Sequence, residues 1–314
     1  MPNSMRFSPL GFGCAPIMGK VGKNHALQAM ELAFDLGVTH FDVARSYGFG
    51  RAEQVVGQFI KDKRDKVTVT TKFGVVPPVL SLRTQAVIPI ARTVVKLFPQ
   101  LKARLKNKSG QLLAERNFDV NYARHCLDQS LLELKTDYID TYLLHEPDKL
   151  MLQHPDALIA FLEKSVREGK IRQWGFAFGT IADIVWADTL GGDIVQFEGN
   201  LSTLPLYGPV LSDIRQRIVT RPFEGGNTDI LAALLKSLDL LADLKELNAT
   251  SSDVALCLSS YLAGKNGTVI CSMFSPVHIH KNVKALNELA GNEKMQHVIK
   301  TIHQSLRSID NVSY

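Results

Sequence analysis

Short β-type runs alternate with helical patterns along the 314 residues of the chain. The runs are rich in β-branched and aromatic residues, and the stretches between them repeat apolar residues at helical spacing. Strands that alternate with helices form parallel sheets, so eight such units in this length predict a (β/α)8 TIM barrel, in one domain over residues 1–314. The eight runs lie at 11–15, 39–42, 67–72, 138–144, 171–176, 194–197, 217–220 and 268–271.

The predicted helices lie near 26–36, 52–61, 119–134, 156–168, 180–188, 229–247 and 276–288, with a shorter helical piece near 210–216. The rival fold is a doubly wound dinucleotide-binding sheet, because the chain opens with Gly11 and Gly13. That fold needs a third glycine three residues later, where this chain has Pro16. The fingerprint is broken, and the barrel is favoured.

Composition excludes several classes of protein. The chain is 45% hydrophobic and 21% charged, and it contains no run of 18 apolar residues that would span a bilayer. Its four cysteines form no C-x-x-C pair, which predicts buried free thiols in a reducing compartment. The pair His278 and His280 lacks a third metal ligand nearby. We expect a soluble cytoplasmic protein without a metal site.

A long basic insertion, residues 74–117, separates the third strand from the next helix. It contains eight basic residues and one acid, a net charge of +7 against +5 for the whole chain. One interpretation is a solvated excursion packed on the barrel rim. The other is a lid whose charge favours an anionic substrate. The segment lacks the aromatic and helical pattern of a nucleic-acid or membrane surface, and we expect neither partner.

Four ionisable residues stand at or just beyond the ends of consecutive predicted strands: Asp42 and Tyr47 after the second, Lys72 after the third and His145 after the fourth. Barrel enzymes place their chemistry at these ends. When hydride reaches a carbonyl, the developing alkoxide needs a proton. Tyr47 would supply it if the ammonium of Lys72 lowered the tyrosine pKa, with Asp42 holding Lys72 and His145 orienting the carbonyl oxygen.

These motifs resemble those of the aldo-keto reductase superfamily in order and spacing. The resemblance implies NADPH-linked reduction of an aldehyde or ketone, or the reverse oxidation, with Tyr47 as the acid and Asp42, Lys72 and His145 as its partners. The stretches that carry it are 37–48, 70–72, 137–145, 169–175 and 269–270, together with Asn282.

The expected nicotinamide site departs from the family pattern. The family usually has Gly-Val-Ser-Asn-Phe after the fifth strand, and this chain has Gly-Phe-Ala-Phe-Gly at 175–179, so two polar groups that hold the carboxamide are missing. Gln196 is retained and is expected to hold the amide alone. After the seventh strand, Thr220 and Arg221 replace the usual Tyr-Ser. Arg221 is then expected either to reach a pyrophosphate oxygen or to form a surface ion pair.

The loop after the eighth strand bears on cofactor choice. Ser272 and His278 stand where relatives commonly have a lysine and an arginine for the 2′-phosphate, Lys281 replaces a glutamate, and Asn282 remains as an expected adenine contact. Histidine is only partly charged near neutral pH, so its attraction for phosphate is weaker than that of arginine. We expect NADP as the cofactor, with NAD as the alternative.

Two functions of different class remain open. The first is an NAD(P)-dependent oxidoreductase acting on a small carbonyl compound, with a sugar-like or anionic one favoured by the basic insertion. The second is a nucleotide-sensing or partner-binding barrel with little turnover, favoured by the missing polar groups of the carboxamide site and by the basic insertion. The fold is shared by both, so only the site separates them.

Overall fold

The computed structural model describes residues 6–77, 115–179, 184, 188–204, 215–224 and 229–310. Eight parallel strands form a closed barrel in sequence order, and β8 pairs with β1 to complete it. The predicted (β/α)8 barrel is confirmed. The strands are β1 (Leu10–Gly13), β2 (His40–Asp42), β3 (Thr68–Phe73), β4 (Ile139–His145), β5 (Ile171–Ala177), β6 (Ile194–Glu198), β7 (Gln216–Thr220) and β8 (Thr268–Cys271).

The helices of the described ranges surround the barrel. Two of them, α7 and α9, were not predicted, and the predicted helix at 229–247 is divided into α5 and α6. The helices are α1 (Lys23–Asp35), α2 (Ala52–Ile60), α3 (Val120–Leu134), α4 (Asp156–Arg167), α5 (Asp229–Ser237), α6 (Leu241–Glu246), α7 (Ser251–Ala263), α8 (Pro276–Leu289) and α9 (Glu293–Asp310).

Each difference has a local cause. Asp239 adopts a left-handed backbone conformation with φ of +57°, which ends α5 and starts a new direction before α6. Helix α7 is buried over seven consecutive residues, 253–259. It therefore lacks the exposed polar face whose alternation with apolar residues would mark a helix in the sequence. The predicted helix at 210–216 lies mostly outside the described residues. So does the one at 180–188, of which Ile184 is described as helical and Asp188 begins a 3-10 turn, Asp188–Leu190.

Two stretches of chain meet at the base of the basic insertion. Val75 and Arg116 form an antiparallel bridge, and the amide of Asn117 donates to the carbonyl of Gly74 at 2.8 Å. The insertion therefore leaves and rejoins the barrel at one point of its rim. Residues 78–114, which carry most of its charge, lie outside the described residues.

The core surrounds the barrel strands, and the barrel interior is partly polar. His40 is fully buried and contacts the hydroxyl oxygens of Thr68 and Thr70 at 2.8 and 3.3 Å. All four cysteines are buried free thiols, as predicted. In the described ranges we find no helix of the length and apolar character needed to cross a bilayer.

Candidate active site

A buried ion pair lies at the carboxyl ends of β2 and β3. The ammonium of Lys72 donates to the two carboxylate oxygens of Asp42 at 2.6 and 2.8 Å and to the carbonyl oxygen of Val43 at 3.0 Å. The Lys72 and Asp42 side chains are 1% and 5% exposed. Charges this deep persist only when they are paired and hydrogen-bonded. The pair therefore fixes the ammonium in one position.

Tyr47 approaches this pair from the loop after β2. It begins a short 3-10 turn (Tyr47–Gly50) in which Gly48 has φ of +59°. A Cβ atom at Gly48 would lie 2.4 Å from the carbonyl oxygen of Ile17, so only glycine fits there. The centroid of the Tyr47 ring lies 5.2 Å from the Lys72 ammonium and 5.8 Å from the His145 ring centroid. The four predicted residues thus form one cluster.

The environment of Tyr47 corrects one expectation. Burial raises the pKa of the phenol above its ordinary value of 10.0, and the opposing charge of Lys72 does not overcome that effect. The sequence had suggested that the ammonium would lower the pKa. Lys72 does act in that direction, but loss of solvent outweighs it. Tyr47 is therefore protonated at neutral pH, which is the state a proton donor requires.

His145, the last residue of β4, is neutral. Desolvation, assisted by the positive charges of Lys72 and Arg116, lowers its pKa to about 3. Its Nδ1 atom is buried and has no hydrogen-bond partner in the described part of the chain. A buried lone pair costs less than a buried N–H without an acceptor, so the ring proton belongs on Nε2. Nε2 then carries the N–H that can be donated.

Gln196 has a partner that the sequence did not suggest. Its amide nitrogen donates to Oδ2 of Asp42 at 2.6 Å, across the barrel from β6 to β2. A carboxylate only accepts hydrogen bonds, so the NH2 group must face Asp42. Asp42 thus receives three side-chain hydrogen bonds, two from Lys72 and one from Gln196. Gln196, the residue expected to hold the nicotinamide amide, thus also contacts the buried ion pair.

The end of β5 has apolar side chains toward the site. Ala177 is the last residue of the strand and pairs in register with His145. Phe178 follows it and stacks on Phe176, with ring centroids 5.5 Å apart and an angle of 12° between the rings. Ala177 and Phe178 both line the cleft. This wall offers an aromatic surface where the family pattern has polar groups.

A cleft of about 1200 Å³ runs across the carboxyl ends of the strands. Asp42, Tyr47 and His145 line it, so the cluster of ionisable residues lies in its wall. The cleft exceeds the usual volume of a small-molecule site, which suits a dinucleotide together with a second small molecule. All predicted cofactor residues line it as well: Gln196, Thr220, Arg221, Ser272, His278, Lys281 and Asn282.

The loop after β8 and the start of α8 form another wall of the cleft. The hydroxyl of Ser272 donates to the carbonyl oxygen of Gly13 at 3.2 Å, and the Lys281 ammonium donates to the hydroxyl of Thr250 at 3.2 Å. Thr250 caps α7, whose Ser252 also lines the cleft. Ser252 was not predicted as a site residue, because the helix that carries it has no readable period.

Two ion pairs occupy the rim. Arg221 contacts Glu198 at 3.3 Å and is 72% exposed, so the surface ion pair expected as one alternative is present. Arg116 contacts Glu146 at 2.8 Å. Glu146 follows His145 directly and has φ of +52°, a conformation that sequence reasoning did not anticipate. Both arginines therefore face a carboxylate at the entrance to the cleft.

The fold and site define a parallel barrel with clustered ionisable groups at the strand ends, beside a cleft of dinucleotide size. The profile of the Aldo/keto reductase family matches residues 9–221. The chain belongs to the aldo/keto reductase family, and the resemblance noted in the sequence is confirmed.

Individual relatives are distant. A Glycine max protein named probable aldo-keto reductase 1 is 27% identical over 175 residues, which cover 54% of this chain and 41% of that protein, so the chain spans less than half of that relative. The NADH-specific methylglyoxal reductase of Escherichia coli is 25% identical over 299 residues, covering 86% and 85%. An aldo-keto reductase from Klebsiella pneumoniae, solved with NADPH, has a TM-score of 0.66 at 20% identity, covering 95% and 91%, and shares the fold.

Proposed function

We propose that the chain is an NAD(P)H-dependent oxidoreductase that reduces the carbonyl of an aldehyde or ketone to an alcohol, with Tyr47 as the general acid. One observation carries the proposal. A protonated tyrosine and a neutral histidine line a dinucleotide-sized cleft with their rings 5.8 Å apart, and a buried ammonium lies 5.2 Å from the tyrosine ring. Tyr47 and His145 can each present a hydrogen to the same oxygen, and a carbonyl oxygen that gains negative charge is the group that such a pair stabilises.

The lining of the cleft fits a nicotinamide dinucleotide. Arg221 and Lys281 supply cations for phosphate groups, and the amide of Asn282 can bind a base edge. Gln196 places an amide beside the ionisable cluster, where the nicotinamide must lie for hydride transfer. When bound, the reduced nicotinamide supplies a hydride, and hence two electrons, to the carbonyl carbon.

The residues of the chain complete the reaction. Neutral His145 donates a hydrogen bond from Nε2 to the carbonyl oxygen and orients it. Tyr47 transfers its phenolic proton to that oxygen as negative charge develops, so one hydride and one proton convert the carbonyl to an alcohol. The phenolate left on Tyr47 is stabilised by the ammonium of Lys72, which Asp42 holds in place. Solvent then returns a proton to Tyr47.

We propose NADP as the cofactor, with NAD as the alternative. The Klebsiella pneumoniae neighbour was solved with NADPH, whereas the Escherichia coli relative is named NADH-specific. Lys281 and His278 line the cleft and are the groups best placed by sequence to meet a 2′-phosphate. Lys281 already donates to Thr250, so it must leave that contact or share it to bind phosphate.

We propose a small carbonyl compound as the substrate. The similarity to a methylglyoxal reductase over most of the chain supports small size, and Phe178 adds an aromatic surface to the wall. An anionic substrate is supported by the charge of the basic insertion. The described rim does not add to that argument, because Arg116 and Arg221 both face glutamates.

The test is the variant Tyr47→Phe, assayed by oxidation of NADPH and NADH against a panel of small aldehydes, ketones and sugar-derived carbonyls. We expect turnover to fall at least about 100-fold with cofactor affinity retained, because a positioned proton donor is lost. Tyr261→Phe is the matched control, since Tyr261 lies on α7 against His303, outside the cleft lining. Near-normal turnover of Tyr47→Phe would remove Tyr47 from the acid role.

A second function has one observation in its favour. Ala177 and Phe178 leave the nicotinamide amide fewer polar side chains than the family pattern provides, which suits a barrel that senses a nucleotide or binds a partner with little turnover. The same assay separates the two. Tight binding of either cofactor without consumption across the whole panel would favour the sensor.

A further inference from the structure

Gln196 lies between the cofactor cleft and the buried ion pair. It is 5% exposed, it lines the cleft, and its NH2 group donates to Oδ2 of Asp42 at 2.6 Å. In the described part of the chain this is its one side-chain hydrogen bond, and its amide oxygen accepts from no residue. The NH2 group of Gln196 thus binds the protein, and its side-chain oxygen can accept a hydrogen bond from a ligand.

The hydrogen bond matters because of what Asp42 does. Oδ2 of Asp42 accepts from Gln196 at 2.6 Å and from Lys72 at 2.8 Å, and Oδ1 accepts from Lys72 at 2.6 Å. A buried carboxylate bound by two donors on different strands is held more firmly than one bound by a single flexible lysine. Gln196 on β6 therefore restrains, from the opposite side of the barrel, the group that holds the Lys72 ammonium.

We propose that Gln196 is a positioning residue for Tyr47: it holds the carboxylate of Asp42, and through it the ammonium of Lys72, in the place from which that ammonium acts on the phenol. The inference rests on the proposed function, since it assigns Tyr47 the acid role. It also links the two halves of the site, because the amide oxygen of Gln196 is left as the acceptor for a carboxamide N–H of the nicotinamide.

The charged and titratable groups around Tyr47 set the direction of the effect. Lys72 lowers the pKa of the phenol, while Asp42 and the buried thiol of Cys14 raise it, and His145 beside the ring is neutral. Without the donor from Gln196, the Asp42 charge is less dispersed and draws the ammonium more strongly. The Lys72 ammonium then stabilises a Tyr47 phenolate less, so the pKa of the phenol should rise further.

The decisive variant is Gln196→Met, which keeps the length of the side chain and removes its donor. We expect kcat to fall about tenfold to a hundredfold at saturating cofactor, as for loss of a hydrogen bond to a charged group. In the reduction direction, the decline of rate at alkaline pH should move up by about half to one pH unit. Gln173→Met is the matched control, because Gln173 is another buried barrel glutamine, donating to Thr141 at 2.9 Å, outside the cleft lining.

A second readout needs neither cofactor nor turnover. In the apo protein labelled with tyrosine carrying 13C at Cζ, the Tyr47 resonance is assigned by its loss in Tyr47→Phe and followed as the pH rises. We expect it to titrate at higher pH in Gln196→Met and to be unaltered in Gln173→Met. If Gln196→Met weakens cofactor binding while kcat and the Tyr47 resonance stay as in the parent protein, Gln196 serves the cofactor alone and the proposal is overturned.

A third variant, Gln196→Glu, tests the same bond by pH. The carboxylate at position 196 would repel that of Asp42. At lower pH the two share a proton, which restores a hydrogen bond between positions 196 and 42 like the one that the glutamine amide makes. Turnover should therefore recover as the pH falls, with a profile unlike that of the parent protein; an unchanged profile counts against the proposal. Failure of the proposed function is distinct, because it appears as no carbonyl turnover in the parent protein and no effect of Tyr47→Phe.

Discussion

Replacing Lys72 by methionine removes the cation that neutralises Asp42 deep in the barrel. The variant Lys72→Met keeps the length of the side chain but loses three hydrogen bonds, of 2.6, 2.8 and 3.0 Å. Removing one partner of a buried ion pair typically costs about 3–5 kcal/mol, because the other charge is left without compensation. Gln196 still donates to Asp42, so we expect the lower end, about 3 kcal/mol. For 314 residues this corresponds to about 4–5 °C in Tm.

The measurement is urea unfolding followed by circular dichroism at neutral pH, with Lys63→Met as the matched control. Lys63 pairs with Glu31 at 2.5 Å, but the glutamate side chain is 50% exposed, so this variant should lose less than about 1 kcal/mol. The double variant Lys72→Met with Asp42→Asn should recover most of the lost free energy of unfolding, because it also removes the unpaired charge of Asp42. A loss in Lys72→Met no larger than in the control would refute the reasoning.

The pH dependence provides a second check. Burial lowers the pKa of Lys72, but Asp42 and Tyr47 outweigh it, so the folded value lies above the ordinary 10.5. A raised pKa contributes stability that is complete below the ordinary value and is lost as pH rises through the folded value. The difference in the free energy of unfolding between the parent protein and Lys72→Met should therefore be constant from neutral pH to about pH 10. It should become smaller above that pH.

Three further variants test the surroundings of this pair and the loop after β8. Glu53→Gln should destabilise the protein by about 3 kcal/mol in urea unfolding, because buried Glu53 accepts from Arg45 at 2.8 Å and from Thr71 at 2.7 Å, and Glu133, 3.7 Å from Arg45, is a more distant partner for that guanidinium. Thr71→Val, which keeps that charge pair, should cost less. His278→Arg should raise the ratio of NADH to NADPH Kd by about tenfold or more, since a charge-assisted contact to phosphate is worth about 1.5–3 kcal/mol. An unchanged ratio would mean that position 278 does not face the adenosine ribose.

The strands were predictable because their signal is local. All eight lie within about two residues of the predicted positions, since buried parallel strands read as short apolar runs bounded by turns. Helix α7 was not predictable in this way, because residues 253–259 are all buried and give no helical period. The division at Asp239 depends on one left-handed residue that the composition of the segment does not indicate.

The catalytic candidates were predictable for the same reason, because residues that end neighbouring strands must meet at one edge of the barrel. What the sequence did not predict is the bond between Gln196 and Asp42, which joins residues 154 positions apart and depends on the barrel closing in register. The net direction of the Tyr47 pKa was wrong for a related reason. The adjacent ammonium is visible in the sequence, but the loss of solvent that outweighs it is a property of the folded site.

These two findings have a joint consequence for the chemistry. A tyrosine with a raised pKa keeps its proton at neutral pH but gives it up less readily, so in the proposed reaction the position of the Lys72 ammonium would set how readily Tyr47 donates. The Asp42 carboxylate holds that ammonium, and Gln196 on β6 holds the carboxylate from a second strand. Because Gln196 also lines the cofactor cleft, a ligand that moves its amide would alter the acid at the same time. In the proposed reaction, with Ala177 and Phe178 in place of polar side chains, Gln196 is the residue through which the cofactor and the proton donor Tyr47 would be coupled.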